Sequence, residues 1–372
     1  MTPCNRFLRL SSLGLLSLTS CAAFTTIASP PSTGPHRLVV GTPWFDWKGV
    51  VHCHGRLSHD SRGTPEEIAA ACTACGIDFL VMTDHQTDAS ILEGSRGVLG
   101  STLFMVGAEI GCPQGSVLAF PLRVPLRRWQ HPGLLSKEAR DQGALTFVCH
   151  AERWRVAWAN LGFTGAEIVN LHAGIQNAGH LGTLTTGLLL PIRFLLERAC
   201  QPDARVLAAW DEQLAAQHPF TPLGGNDAHA NVRVFGPLGG TIGSYREVFA
   251  TLSTHALAER LDEASLVDAF RSGRTYVSFD IFGEGTGFDF RAVRGSEVHV
   301  AGASIASHPS LSLQVSAPAP GHIRLLREGR VVHECDGDVL VLMTPTPGVY
   351  RTEVWTTADI PWLFSGSIRV TD

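Results

Sequence analysis

The sequence predicts an α/β protein whose ligand-type side chains gather at one end of a closed β/α barrel, followed by a small β-sandwich domain. Three observations carry this. From residue 49 onward, apolar runs alternate with helix signals, as expected of a parallel sheet covered on both faces. Each run ends in a polar residue suited to chemistry: Val50-Val51 in His52 and His54, Ile77–Met82 in Asp84-His85, Thr102–Val106 in Glu109, Ala144–Val148 in His150, Ile168-Val169 in His172, and Leu223–Gly225 in Asp227 and His229. Such groups at the carboxyl ends of several strands are the arrangement of a barrel. After about Gly283 the pattern changes to short alternating segments, such as Leu311–Val315 and Gly348–Val354, with turn signals at Glu328-Gly329 and Asp336-Gly337. That spacing predicts a sandwich of roughly 85 residues.

Length and composition permit this plan. The chain has 372 residues, of which 44% are hydrophobic and 17% charged, enough for a large core. A formal net charge of −5 gives no electrostatic case for nucleic acid. Histidine is unusually frequent, at 16, and many copies follow apolar runs.

The first residues are not part of the fold. Arg6 and Arg9 precede the apolar segment Leu10–Leu18, which fits the h-region of a signal peptide and is too short to span a bilayer. Leu18-Thr19-Ser20-Cys21 resembles a bacterial lipobox, which would make Cys21 the lipidated first residue of the mature chain. The alternative is an ordinary secretory signal in which Cys21 is incidental. With Ala22 following, the resemblance implies a place in the cell envelope, at the outer membrane or periplasmic face. The divisions expected are a signal segment (1–20), a flexible tether (21–45), the barrel (46–283) and the sandwich domain (284–372).

Local signals place the helices. Thr64-Pro65-Glu66-Glu67 supplies an N-cap, a proline at N1 and acidic residues in the first turn, and Gly76 suits the helix end. Leu181–Ala199 is apolar and helical, but Pro191, Arg193, Glu197 and Arg198 interrupt it, so it is not read as a membrane span. Further helices are expected over Ala204–Gln217 and Ala264–Arg271. Of nine cysteines, those outside the leader make an odd set, and Cys53 and Cys149 lie in apolar strands, so free thiols are expected. Cys72-x-x-Cys75 falls inside a helical pattern and reads as structural.

In a strand, residues i and i+2 share a face, so His52 and His54 can aim two imidazoles at one point. Together with Ser58-x-Asp60, Thr83-Asp84-His85, Glu109, His150 and Asp227-x-His229, they resemble in order and spacing the motifs of the PHP (polymerase and histidinol phosphatase) superfamily, over about Val50–Phe279. Ser58–Ser61 and Pro361–Ile368 look most like its CehA/McbA-like branch, which joins the barrel to a C-terminal β domain and includes a carbamate-ester hydrolase. The resemblance implies a distorted seven-stranded barrel with two or three divalent ions. His52, His54, Glu109 and Asp227 would hold one ion, Asp60, His85 and His229 a second, and Glu109 would bridge to a third with His150. Mixed imidazole and carboxylate ligands suit Zn, Mn or Fe. The family often adds a histidine after the glutamate, and this chain has Pro113–Leu118 there without one. Two filled sites are therefore expected.

The function expected is a metal-dependent hydrolase, foremost a phosphoesterase using a metal-activated hydroxide, acting on a small, possibly anionic molecule. Asp227 and His229 would act at the reacting group, and Arg153 and Arg233 would recognise an anion. Asp84 is read as supporting a ligand, His172 as a ligand, substrate contact or rim residue, His59 as a solvent-facing neighbour of Asp60, and Glu167 as structural. Trp355 and Trp362 read as core or interface residues. Two alternatives stay open: an amide or carbamate-ester hydrolase with the same centre, and a non-catalytic lipoprotein that binds metal or another ligand.

Overall fold

In chain order, the strands of the first part are β1 (Phe45–Cys53), β2 (Phe79–Met82), β3 (Gly97–Leu99), β4 (Thr102–Val106), β5 (Ala108–Cys112), β6 (Gly115–Phe120), β7 (Leu145–Cys149), β8 (Gly165–Asn170), β9 (Thr221–Ala228), β10 (Val232–Arg233), β11 (Thr241–Ile242), β12 (Ser253–Ala258) and β13 (Thr275–Ser278). The computed structural model describes residues 38–177, 192–229, 232–233 and 241–372. The leader, Cys21, most of the tether and the first part of the apolar stretch before Ile192 lie outside the described residues.

The result is a mixed α/β fold with one large sheet. Strands β9, β1, β2 and β4 run parallel side by side, as do β7, β8 and β9. The expected closed, parallel barrel needs correction in both respects. The hairpin β5–β6 is antiparallel, and so is β6–β7. Between β4 and β6 no ladder forms among the described residues; Leu122 N donates to Val106 O at 2.7 Å, and an isolated bridge joins His85 to Glu109. Reversal in the hairpin takes β5 out of line with β4, so the sheet curls round without closing.

Two apolar layers follow from the pleat. Val51, Phe79, Val81, Met105, Phe147 and Leu223 fill the inside of the curl, while Val50, Cys53, Leu80 and Met82 pack outward with Ile68 and Cys72 of the helix Pro65–Ala74. That helix begins with a full capping box between Thr64 and Glu67. The helix Glu263–Arg271 closes the inner layer, where Phe270 meets the rings of Phe79 and Phe120 edge-on at 5.8 and 5.3 Å. Gly49 leaves room for the Phe79 ring, since a Cβ there would lie 2.0 Å from it. Helices Ile192–Ala199 and Ala204–Ala216 follow the apolar stretch. Among the described residues, no helix is long and apolar enough to cross a membrane.

The remaining strands are β14 (Asp289–Arg294), β15 (Glu297–Val300), β16 (Ser304–Ala306), β17 (Leu311–Arg327), β18 (Arg330–Met343), β19 (Gly348–Trp355), β20 (Pro361–Ser365) and β21 (Ile368–Thr371). They continue the large sheet, because β13 pairs with β20 and β12 with β1. A buried ion network also ties the parts together. Arg351 grips Asp211 with Nε and Nη2 at 2.6 and 2.8 Å, reaches Glu353, and lies 4.6 Å over the Trp210 ring. Trp362 is buried among these strands, and Trp355 stacks edge-on to Phe364. The last residues of the expected tether also dock here: Val39 is buried with the C-terminal strands, and Arg291 donates to Val40 O at 2.8 Å. The seven described cysteines are free.

Phe270→Ala should remove the central ring of the inner layer and cost about 3–5 kcal/mol of stability, read as a lower denaturant midpoint.

Candidate metal centre

The centre begins with an irregularity. Both parallel ladders of β1 shift register between Val51 and Cys53, and His52, the residue between, has φ of 70°. In a regular pleat His52 would point outward with Val50. The bulge instead turns it to the same side as His54, so the pair is aimed by a bulge and not by simple alternation. His150, after β7, and Asp227, in β9, also have positive φ, both 49°. Left-handed backbone is costly for such residues and clusters where function demands it. Here it falls on three side chains that face one another.

The donor atoms converge. His52 Nε2 lies 3.0 Å from His54 Nε2, 3.3 Å from Glu109 Oε2 and 3.2 Å from Asp227 Oδ1. His54 Nε2 lies 3.4 Å from Asp227 Oδ1 and 3.5 Å from Glu109 Oε2. Ligands bound tetrahedrally to one ion at ~2.0–2.1 Å stand ~3.3–3.4 Å apart, so the His52, His54 and Asp227 donors are spaced as ligands of one ion, with Glu109 Oε2 facing the same two imidazoles. Asp60 Oδ2 faces His85 Nε2 at 3.0 Å and His229 Nε2 at 3.1 Å, a second group. His150 Nε2 stands 3.5 Å from Glu109 Oε1 and 3.6 Å from Asp227 Oδ2, so both carboxylates reach beyond the first group. The structure thus brings His52, His54, Asp60, His85, Glu109, His150, Asp227 and His229 into one cluster that could bind divalent metal.

Supporting residues hold these donors. Asp84 is buried and accepts from Gly55 N at 2.6 Å, fixing the turn after His54; burial, only partly offset by that bond, pushes its carboxyl up to about 6. Ser58 lies 3.2 Å from His54 Nδ1 and donates to Asp60 Oδ1 at 2.6 Å. His229 spends Nδ1 on Asp227 O at 2.9 Å, which leaves Nε2 for an ion. His172 sits at the rim with its ring 5.3 Å from that of His229, and His59 is exposed against His85. Arg153 is half exposed and pairs with Glu152 at 3.4 Å. The backbone of Arg233 lies in β10; its side chain falls outside the described part. On the hairpin after Glu109, Ser116 stands opposite Cys149, and Trp154 Nε1 donates to both carbonyls.

Glu167 belongs to this cluster, which sequence reading did not place there. It is fully buried in β8 and meets His52 Nδ1 at 2.6 Å with Oε1. A carboxylate inside an otherwise apolar strand, with Gly224-Gly225 on the neighbouring one, was the available signal.

The charges compensate one another. Burial opposes charge on His52, but Asp227 and Glu167 outweigh it and raise its pKa well above the ordinary value. Burial likewise opposes charge on His150 and His229, and their carboxylate neighbours raise both. The hydrogen bond to Asp60 raises His85 despite burial. Burial opposes ionisation of Glu109, Asp227 and Asp60, yet the imidazoles hold all three below the usual carboxylate range. His54 is the exception: burial pushes it down to about 4, leaving a neutral imidazole suited to ligation.

No protein-family profile and no curated protein matches the chain. Solved structures similar to it include a two-domain protein from Bacteroides vulgatus described as containing a PHP-like metal-dependent phosphoesterase, at 14% identity, covering 90% of this chain and 98% of that one with a TM-score of 0.44. Endonuclease Q, bound to a 27-mer duplex with an abasic lesion, aligns at 10% identity over 61% of this chain and 56% of its own, with a TM-score of 0.38. A protein from Bifidobacterium adolescentis described as a metal-dependent phosphoesterase aligns at 14% identity over 54% of this chain and 94% of its own, with a TM-score of 0.31. These values are too low to fix a fold or an activity, so the functional reading rests on the donor geometry.

Because neighbouring carboxylates raise the proton affinity of His52, His85, His150 and His229, an ion entering the cluster competes with protons for these nitrogens. Metal binding should release protons, and apparent affinity should rise with pH. Calorimetry in buffers of different ionisation enthalpy reads this directly; no proton release would contradict the donor assignment.

Proposed function

We propose that the protein is a metal-dependent hydrolase, foremost a phosphoesterase, acting on a small substrate. The observation that carries this is the convergence of His52 Nε2, His54 Nε2, Glu109 Oε2 and Asp227 Oδ1, with five separations of 3.0–3.5 Å. Those residues would hold one ion, and Asp60, His85 and His229 a second. Glu109 and His150 reach toward a third position, which lacks a histidine from Gln114–Val117. Zn, Mn or Fe suits this donor set. When bound, such ions lower the pKa of water toward ~7 and polarise a phosphoryl or carbonyl oxygen.

The chain's own residues set the stage for that chemistry. Glu109 and Asp227 each turn one oxygen to the first group and the other toward His150, so they can bridge neighbouring ions and reduce their repulsion. Burial keeps water off His52 and His54, which strengthens every interaction they make. At the partly open rim, His172 is held toward the neutral form by burial, with Asp227 opposing. It stands beside His229 as the group placed to meet substrate. Arg153 and Arg233 remain the candidates for anion recognition. A C-terminal sandwich domain and the CehA/McbA-like assignment belong to this same proposal.

The second reading, amide or carbamate-ester hydrolysis, uses the same donors. It is separated by comparing metal-dependent turnover of a chromogenic phosphodiester, a phosphomonoester and a 1-naphthyl carbamate. The phosphoester reading expects one of the first two to dominate, and no turnover of any would leave the non-catalytic binder. Asp227→Asn should abolish activity and lower metal content while the protein stays folded; unchanged activity would remove Asp227 from the ligand set.

The proposed setting is the cell envelope, with the chain anchored through lipid on Cys21. Cys21→Ser should shift the protein from the membrane to the soluble fraction on fractionation.

A further inference from the structure

Glu167 touches two candidate ligands from different strands at once. Oε1 meets His52 Nδ1 at 2.6 Å, and Oε2 accepts from His150 N at 2.8 Å and from Asn170 Nδ2 at 3.2 Å. Each contact addresses a specific weakness. The bond to Nδ1 fixes the His52 ring, so that Nε2 is the nitrogen presented to Glu109 and Asp227. The bond to His150 N holds a residue whose φ of 49° and ψ of 55° put it in the left-handed region. His52, at φ of 70°, is also left-handed. One carboxylate therefore pins both strained residues, the first through its ring and the second through its backbone.

Room for this contact comes from the next strand. A Cβ at Gly225 would lie 2.2 Å from Glu167 Oε1 and 3.1 Å from Asn170 Nδ2. Only the absence of a side chain there lets the carboxylate reach β1. Asn170 completes the arrangement, since its Oδ1 accepts from Ala173 N at 2.9 Å and its amide faces Glu167.

We infer that Glu167 is a positioning residue for the metal centre: through its two oxygens it presets His52 and His150 together, so that ion affinity at both depends on it. The inference rests on the metal-centre reading. Outer carboxylates that orient a ligating histidine typically change affinity ~10–100-fold when removed. A purely structural Glu167 would change stability and leave affinity alone.

The test uses the full chain stripped of metal, with Zn(II) affinity measured by chelator competition and Co(II) absorption reporting ligand geometry. Wild type should bind at least one Zn(II), and failure to bind would overturn the metal-centre reading and this inference with it. Given wild-type binding, Glu167→Gln should weaken Zn(II) by ~10–100-fold and alter the Co(II) bands, with circular dichroism unchanged. Gly225→Ala should move both readouts in the same direction by displacing the carboxylate. Combined, the two changes should be far from additive, because the second acts through the first. Wild-type affinity and an unchanged Co(II) spectrum in folded Glu167→Gln would overturn the inference while leaving the metal-centre reading intact. If Glu167→Gln does not fold, Gly225→Ala decides by the same readouts.

Discussion

The structure depends on neutralising carboxylates buried at one end of the curled sheet. Glu109, Glu167 and Asp227 are almost fully buried, and Asp60 beside them is partly exposed. Isolated, each charge would cost several kcal/mol. Interleaved imidazoles make the cluster tolerable: Asp60 lies between His85 and His229, and Glu109 and Asp227 lie between the His52-His54 pair and His150. The carboxylates in turn raise the proton affinity of His52, His85, His150 and His229, and a bound ion would compete with those protons. The same electrostatic demand that makes the cluster costly for folding therefore favours a bound cation, and binding should stabilise the fold.

The backbone is shaped to the same demand. Regular strands would have sent His52 outward and left His150 and Asp227 in extended conformation. The bulge in β1 and the two left-handed residues bring them back to the centre. The gap between β4 and β6 serves this too. By leaving the ladder after β4, the chain lets Glu109 meet His85 across an isolated bridge, where its carboxylate reaches both groups of histidines.

This division explains what the sequence revealed. Ligand types at the ends of apolar runs were legible because burial and the strand period constrain each run locally. The helix start at Thr64 was legible because capping is local. Closure was not, since it depends on how a hairpin with Pro113-Gln114 at its turn meets a strand elsewhere. The bulge was not, because no residue in Val50–His54 demands one; only its partners do. Glu167 was read as structural because a lone acid in a short apolar strand carries no motif, and its contacts appear only when β8, β1 and β9 lie side by side. Alternation after Gly283 announced strands but not that β13 and β20 would weave them into the same sheet.

That continuity bears on the centre. A site that must hold donors within fractions of an ångström needs support on rigid elements. β8, which carries Glu167, is backed by the helix Ala204–Ala216, which carries Trp210 and Asp211. Arg351 in β19 clamps both, and β19 returns through β20 and β13 to β12 and β1, which carries His52 and leads into His54. The C-terminal strands thus brace β1 along one route and β8 along another. Glu167 joins those two strands at the centre itself, through a bond of 2.6 Å to His52. The C-terminal part contributes no donor, yet it closes a mechanical loop around the two strands whose spacing decides whether the donors stay in register.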